Sequence, residues 1–209
     1  MVRIVAISDT HNQHDALDVP DGDVLVHAGD MSGHGHLREL EAFAAWCEAQ
    51  PHRHKVVIAG NHDFCFERAE ECAQARQLLS SVHYLEDAAV EVAGLTFYGS
   101  PWQPRFFDWA FNLQRGAALR EKWARIPEDT DVLITHGPPR NRRDATHAGE
   151  PVGCDDLAAR VAEVKPRLHV FGHIHEAYGV ERDESTIFAN ASSCTLSYKP
   201  TNPPLVFDL

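Results

Sequence analysis

Short apolar runs recur along the chain and predict buried β-strands. They are rich in Val, Ile and Leu, a composition typical of parallel strands that are covered on both faces. The runs are Ile4–Ile7, Val24–Val26, Val56–Ile58, Val132–Ile134 and Leu168–Phe171. Elsewhere the apolar spacing changes to a helical period, as in Arg38–Gln50, where Pro51 ends the predicted helix. The first part of the chain therefore predicts alternating strands and helices.

The last part of the chain is richer in strands, and its pattern looks antiparallel. We predict strands at 2–7, 23–28, 55–59, 82–85, 88–93, 95–99, 131–135, 168–172, 177–182, 185–191, 193–198 and 204–208, and helices at 38–50, 67–80, 114–125 and 154–164. A βαβ half followed by a β-rich half predicts two packed sheets with helices outside. No repeat or linker divides the sequence, so we expect residues 1–209 to form a single domain.

A short polar block follows each of the five apolar runs. The blocks are Asp9-Thr10-His11, Gly29-Asp30, Gly60-Asn61-His62-Asp63, His136-Gly137 and Gly172-His173-Ile174-His175. Their carboxylate, amide and imidazole groups are ligand types that suit Mn, Fe, Ni or Zn. Polar side chains at strand ends converge at one edge of an open α/β sheet. We therefore expect a shared metal site at that edge.

Charge and composition exclude several classes of protein. The formal net charge is −12, which argues against a protein that binds long nucleic acid. No apolar run approaches the roughly 20 residues that a membrane span needs. The five cysteines form no CxxC pair and no charged-then-apolar leader is present, so we expect reduced thiols and a cytoplasmic location. Sequence leaves the oligomeric state open.

The five blocks, in this order, resemble the motifs of the calcineurin-like metallophosphoesterase superfamily: D-x-H, G-D, G-N-H-D, H-G and G-H-x-H. Gly35, five residues past Asp30, completes the longer pattern of the second motif. Four further segments resemble a subfamily of small cyclic-nucleotide phosphodiesterases, the metallophosphoesterase-domain-containing proteins: Tyr98–Pro104, His136–Pro139, Val152–Cys154 and Pro200–Pro204. The superfamily resemblance extends from Asp9 to His175.

This resemblance implies an α/β fold, a four-layer αββα sandwich of two mixed sheets flanked by helices, with a dinuclear metal site at the strand ends. It implies that Asp9, His11 and His175 hold the first metal ion. The second ion would be held by Asn61, His136 and His173. Asp30 would bridge the two. The ions would be divalent, with Mn²⁺ as the first choice and Fe, Zn, Ni or Co as alternatives.

The chemistry of such a site suits phosphoester hydrolysis. A bridging carboxylate keeps two cations ~3.5–4 Å apart, and a hydroxide shared by them would attack phosphorus in line. The leaving oxygen then needs a proton. His62 is adjacent to the proposed ligand Asn61 but is not itself assigned to a metal, so we expect it to act as the general acid. We expect Asp63 to orient His62 and to favour its protonated form.

The sequence offers two groups of candidate substrate contacts. Arg140, Arg142 and Arg143 follow the fourth block, where a guanidinium could bind a phosphate or could lie on a solvated face. Trp102 begins an aromatic loop that continues through Phe106, Phe107, Trp109 and Phe111. These rings could stack on a nucleobase or could pack against the core. We name Trp102 and the three arginines as candidate substrate contacts.

The resemblance predicts a metal-dependent phosphodiesterase that hydrolyses small, cyclic nucleotides. Two alternatives remain open at this stage. The first is a phosphomonoesterase or a nuclease of the same superfamily, although the acidic charge disfavours the nuclease. The second is a weakly active nucleotide-binding regulator. The expected partner in each case is a small phosphoester or nucleotide, without a membrane or long nucleic acid.

Overall fold

The computed structural model describes residues 1–209 and contains thirteen strands and four α-helices. The strands are β1 (Arg3–Ile7), β2 (Val24–Ala28), β3 (His54–Ile58), β4 (His83–Tyr84), β5 (Ala88–Val92), β6 (Leu95–Ser100), β7 (Gln103–Pro104), β8 (Asn112–Leu113), β9 (Val132–Thr135), β10 (Leu168–Phe171), β11 (Gly179–Arg182), β12 (Ile187–Asn190) and β13 (Leu205–Asp208). The α-helices are α1 (Leu37–Ala49), α2 (Cys72–Leu78), α3 (Ala117–Trp123) and α4 (Asp155–Val164). No helix has the length and apolar character needed to cross a bilayer.

Two large mixed sheets form the centre of the molecule. The first has the strand order β13-β1-β2-β3-β4, and all its pairs are parallel except β13 with β1. The second has the order β11-β12-β10-β9-β6-β5, with parallel pairs in the middle and antiparallel pairs at both edges. Strands β7 and β8 form a separate parallel pair. The carboxyl ends of β1, β2 and β3 therefore lie at one edge of the first sheet, and those of β9 and β10 at one edge of the second.

Three layers of apolar side chains hold the sheets and helices together. The layer between the sheets contains Ile4, Val26, Val56 and Ile58 from the first sheet and Phe97, Val132, Ile134, Leu168 and Val170 from the second. Fully burying one such side chain stabilises the fold by roughly 1.5–3 kcal/mol. Residues of α1 and α2 pack on the outer face of the first sheet, and residues of α3 and α4 on that of the second. The expected four-layer αββα sandwich is confirmed.

The two sheets also touch through their backbones beside the strand ends. Ser8 follows β1 and forms a parallel bridge with Ser192, which follows β12 of the other sheet. The backbone N–H of Ser193 donates to the carbonyl of Ser8 at 2.8 Å. These bonds bring the polar block after β1 against the second sheet.

The last part of the chain differs from the prediction. Strands β11 and β12 are antiparallel as expected, but β12 runs parallel to β10, and β13 crosses back to the first sheet. No strand forms at 193–198. Instead the backbone N–H of Tyr198 donates to the carbonyl of Thr195, which makes a turn that reverses the chain. Helices α2 and α3 are shorter than the predicted 67–80 and 114–125.

Candidate metal centre

The structure joins six of the seven predicted ligands in a chain of close side-chain contacts. His175 Nε2 lies 3.2 Å from Asp9 Oδ1 and 3.3 Å from His11 Nε2. Asp30 Oδ2 lies 3.8 Å from His11 Nε2 and 3.4 Å from His136 Nε2. His136 Nε2 in turn lies 2.9 Å from Asn61 Oδ1. Asp30 is therefore the central carboxylate between two groups of donors.

The seventh predicted ligand, His173, lies beside this chain of contacts. Its ring centroid is 5.1 Å from that of His136. Its backbone N–H donates to both carboxylate oxygens of Asp9, at 3.1 and 3.0 Å. His173 thus faces the His136 side while its backbone holds the carboxylate on the other side.

Four of these residues have backbone dihedrals that L-residues rarely adopt. The φ angles are +52° at Asp9, +42° at His11, +56° at Asp30 and +68° at His173. Each such residue costs of order 1–3 kcal/mol and persists only where surrounding contacts fix it. Such conformations cluster at functional sites, and here they turn the side chains toward one another directly after the strands end.

Glycines precede three of the ligands because the groups are so closely packed. A Cβ on Gly29, which has φ +99°, would lie 2.6 Å from His136 Nδ1. A Cβ on Gly60 would collide with Asp30 Oδ1. A Cβ on Gly172 would collide with Asp9 Oδ2 and Ser8 Oγ. The glycines in the three blocks therefore provide room for carboxylates and imidazoles from other strands.

We expect Gly172→Ala to displace the Asp9 carboxylate and to destabilise the protein. Overpacking of this kind costs about 1–3 kcal/mol, which corresponds to a drop of several degrees in Tm for a chain of this size. Gly137→Ala is the matched control, since a Cβ there meets only Gln103 Cβ at 3.5 Å. Thermal unfolding monitored by circular dichroism compares the two variants. Equal Tm values would contradict the packing argument.

Backbone carbonyls orient two of the imidazoles. His136 Nδ1–H donates to the carbonyl of Ala28 at 2.9 Å, and His175 Nδ1–H donates to the carbonyl of Thr195 at 3.1 Å. Both rings therefore direct Nε2 toward the centre. This arrangement, in which the second ring nitrogen is held by an acceptor, is typical of metal-binding histidines.

Opposite charges compensate one another in the buried cluster. Burial alone would raise the pKa of Asp9, but the hydrogen bond and charge of His175 hold it well below its usual range. Burial would lower the pKa of His175, but the hydrogen bond to Asp9 and its charge raise it to about 9. In the same way, burial opposes protonation of His136, but the charge of Asp30 raises its pKa to about 9. For His11, burial outweighs both carboxylates and lowers the pKa to about 4.

The donor set fits divalent cations of the first transition row. Three groups of carboxylate and imidazole residues each bring their ligand atoms within 4.8 Å of one another: Asp9, His11 and His175; His11, Asp30 and His62; and Asp9, Asp30 and His136. Two imidazole nitrogens, of His11 and His175, face each other at 3.3 Å. The buried His11 Nδ1 has no hydrogen-bond partner. Nitrogen and oxygen donors at these separations suit Mn, Fe, Co, Ni or Zn.

The expected contact between His62 and Asp63 does not form. His62 Nδ1 donates instead to the carbonyl of Gly33 at 2.7 Å, and its Nε2 lies 3.9 Å from Asp30 Oδ2. The buried Asp63 carboxylate accepts from the backbone N–H groups of Gly60, at 2.8 Å, and Ser32, at 3.0 Å. Burial, followed by the nearby charge of Asp30, raises the pKa of Asp63 to about 6. Asp63 holds the loops after β2 and β3 together, and it does not orient the imidazole.

A cavity of about 420 Å³ opens beside the donors. Its lining includes five residues of the polar blocks: Asp30, Asn61, His62, His173 and His175. Its remaining walls are largely apolar, with the aromatic residues Phe106, Trp109 and Tyr198 and with Leu196, and they also include Arg105 and Arg115. The volume falls within the range of sites for small molecules, roughly 300–1,000 Å³.

The four predicted substrate contacts do not line this cavity: Arg140, Arg142, Arg143 and Trp102. Arg142 pairs with Glu181 at 3.0 Å and with Asp183 at 2.8 Å on β11 and the turn after it. Trp102 Nε1–H donates to Asp87 at 3.0 Å, and Lys122 Nζ lies 4.0 Å from the centre of the Trp102 ring. Sequence reasoning named Trp109 and Phe106 only as members of the aromatic loop, and it missed Tyr198, because 193–198 was interpreted as a strand.

Known proteins resemble this chain in sequence and in fold. The family model described as "Calcineurin-like phosphoesterase" matches residues 2–177. The human protein named metallophosphoesterase domain-containing protein 1 is 45% identical over 230 aligned positions, which cover 99% of this chain and 71% of the human protein. A UPF0046 protein of Caenorhabditis elegans is 40% identical over 100% of this chain and 81% of its own length. The crystal structure of TT1561 of Thermus thermophilus is similar in fold, with a TM-score of 0.63 at 16% identity over 90% of this chain and 88% of that one.

Proposed function

The chain belongs to the calcineurin-like phosphoesterase family, whose members are metal-dependent phosphoester hydrolases, and from this premise we propose that it is a phosphodiesterase acting on small, cyclic nucleotides. The observation that carries the proposal is the chain of donor contacts centred on Asp30, which opens directly into an aromatic cavity of about 420 Å³. We propose that residues 1–209 act as one domain, since β13 near the end of the chain pairs with β1.

We propose that the seven predicted ligands hold two divalent cations, with Mn²⁺ as the first choice. Asp9, His11 and His175 form one group of donors, and Asn61, His136 and His173 form the other. Asp30 lies between them. When bound, such cations supply Lewis-acid polarisation of a phosphoryl group and lower the pKa of water. Only the two carboxylates among these ligands carry a negative charge, and the imidazoles would be neutral with the cations bound, so the site can still accept an anionic phosphate.

The proposed general acid is His62. Its Nδ1–H is committed to the carbonyl of Gly33, so Nε2 is the nitrogen available to the cavity. The imidazolium form, protonated on both nitrogens, can transfer its Nε2 proton to the leaving oxygen of a phosphoester and keep the Nδ1–H bond to Gly33. The side chain is only 12% exposed, which limits exchange of that proton with bulk water.

The shape and charge of the molecule support a compact substrate. The cavity accommodates a ligand of nucleotide size, and Phe106 and Tyr198 offer apolar surface for a base. A chain with a net charge of −12 would repel a long polyanion. Both observations favour a small phosphodiester over a nucleic-acid strand.

We expect the Mn²⁺-loaded protein to hydrolyse diesters and to leave monoesters nearly untouched. The panel is 2′,3′-cAMP, 3′,5′-cAMP, bis-p-nitrophenyl phosphate, p-nitrophenyl phosphate and AMP, with metal content measured on the same sample. The ratio of kcat/KM between the two cyclic isomers identifies the preferred ring. Faster turnover of AMP and p-nitrophenyl phosphate would favour a phosphomonoesterase, and two bound ions without turnover of any substrate would favour a binding role. Removal of the ions by a chelator should abolish turnover, and Mn²⁺ should restore it.

A further inference from the structure

We propose that Trp109 is a positioning residue that holds the imidazole of His62 in its reactive orientation by stacking on it. This inference rests on the proposed role of His62 as the proton donor. Trp109 acts through the histidine and is not itself a catalytic residue.

The stack is close and nearly parallel. The ring centroids of Trp109 and His62 are 4.2 Å apart, and the ring planes differ by 27°. Both side chains line the cavity. Phe64, directly after the G-N-H-D block, lies 5.9 Å from Trp109 by ring centroids, with the ring planes 34° apart. The indole therefore covers one face of the imidazole.

The other contacts of His62 do not cover the ring face on which Trp109 stacks. The bond from Nδ1–H to Gly33 fixes one edge of the ring at 2.7 Å. The ring of His11 meets the imidazole at a centroid distance of 4.7 Å and an interplanar angle of 76°. The ring of Tyr198 also lies edge-on to the imidazole, at a centroid distance of 6.4 Å and an interplanar angle of 66°. One hydrogen bond and two edge contacts still allow the ring to tilt about the Nδ1 bond. A flat ring stacked on the open face blocks that tilt and keeps Nε2 directed toward Asp30.

The loop that carries Trp109 is fastened to the same ligand block. The backbone N–H of Ala110 donates to the carbonyl of Asn61 at 3.1 Å. Ala110 follows Trp109 and Asn61 precedes His62, so this bond joins the loop to the block directly beside the two stacked rings. At its other end the loop is anchored by Trp102, whose indole N–H bonds to Asp87. Asp87 also accepts from Lys122 Nζ at 2.6 Å. Trp109 therefore reaches His62 from a loop that is fixed at both ends.

The test compares Trp109→Leu and Trp109→Phe with wild type on two diesters. We expect Trp109→Leu to lower kcat for 2′,3′-cAMP on the order of tenfold, a part of the ~10²–10⁴-fold that a positioned general acid contributes. The loss of kcat on bis-p-nitrophenyl phosphate should be much smaller, because its leaving oxygen needs no proton. KM should change little. Trp109→Phe, which keeps a flat ring, should retain most of the wild-type kcat for 2′,3′-cAMP.

Phe107→Leu is the matched control on the same loop. Phe107 is 73% exposed, its ring contacts Phe106 at 4.5 Å, and it does not line the cavity. This variant should behave as wild type on both substrates. A leaving-group effect as large as that of Trp109→Leu would overturn the proposal, since it would assign the effect to the loop as a whole.

Two further results separate this inference from the proposed function. Suppose that His62→Ala loses turnover of 2′,3′-cAMP selectively, but that Trp109→Leu lowers the turnover of both substrates equally or of neither. Then only the role of Trp109 is overturned. If His62→Ala shows no selectivity, the general-acid role is overturned and this inference with it. NMR of the Zn²⁺-loaded protein tests the stack without any turnover: the carbon-bound His62 protons should carry an indole ring-current shift that Trp109→Leu removes. Unchanged His62 shifts in that variant would also overturn the proposal.

Discussion

Asp30→Ala should fold but should no longer bind two divalent ions tightly, and its diester hydrolysis should fall on the order of 10²–10³-fold or more. The physical reason is the central position of this carboxylate. Its Oδ2 lies 3.4 Å from His136 Nε2 and 3.8 Å from His11 Nε2, which belong to the two different groups of donors. No other carboxylate occupies that position, since Asp9 contacts His175 and Asp63 bonds to backbone N–H groups.

The metal content of the purified variant, measured by elemental analysis after dialysis, tests this expectation. Asp30 Oδ1 also accepts the backbone N–H of His62 at 2.8 Å, so the alanine variant loses a structural hydrogen bond as well as a charge. Asp30→Asn separates the two effects, because the amide oxygen can still accept that bond. Asp15→Ala, at an exposed carboxylate, is the surface control. Two tightly held ions in Asp30→Ala would refute the assignment of Asp30 as the bridge.

His62→Ala should keep both ions and yet lose about 10²–10⁴-fold of its turnover on substrates with poor leaving groups. Turnover of p-nitrophenyl esters should fall far less, because p-nitrophenolate leaves without a proton. The imidazole is held at Nδ1 by Gly33 and presents Nε2 to the cavity, so its removal takes away a proton donor without removing a predicted ligand.

The comparison of leaving groups makes this prediction specific. A histidine that only filled space, or that served as a metal ligand, would change both classes of substrate equally. His62 does belong to one of the three donor groups, with His11 and Asp30, so metal content must be measured on the same sample. Equal losses on both substrates, or loss of one ion, would contradict the general-acid role.

The layered fold was predictable because its signals are local. Runs such as Ile4–Ile7 and Val132–Ile134 are apolar on both faces, and this pattern is typical of central parallel strands. Polar residues placed directly after such strands must lie at the carboxyl edge of a sheet, whatever the order of the strands. The order of blocks along the sequence therefore predicted which residues would lie near one another, including Asp9 and His175, which are 166 positions apart.

Contacts between neighbouring residues in the sequence were predicted less well. His62 and Asp63 are adjacent, and their charges suggest a pair. The backbone N–H groups of Gly60 and Ser32 bind the Asp63 carboxylate instead, and the carbonyl of Gly33 binds the imidazole. Backbone donors and acceptors carry no sequence signature, so a side chain that bonds to them cannot be recognised from residue types.

The sequence by itself determined the alternation of strands and helices, two packed sheets with helices outside, and the five polar blocks, because each depends on periodicity or on position relative to a strand end. The αββα sandwich and the seven candidate ligands followed from the resemblance of those blocks to the superfamily motifs. Only the tertiary structure decided which side chains surround the cavity. Trp109 and Tyr198 line the cavity. Trp102 instead donates a hydrogen bond to Asp87, and Arg142 forms ion pairs with Glu181 and Asp183. Those choices depend on how loops such as 100–112 and 193–204 fold back over the sheet edge. Contacts between distant segments determine that path, and the local pattern of hydrophobic and polar residues does not.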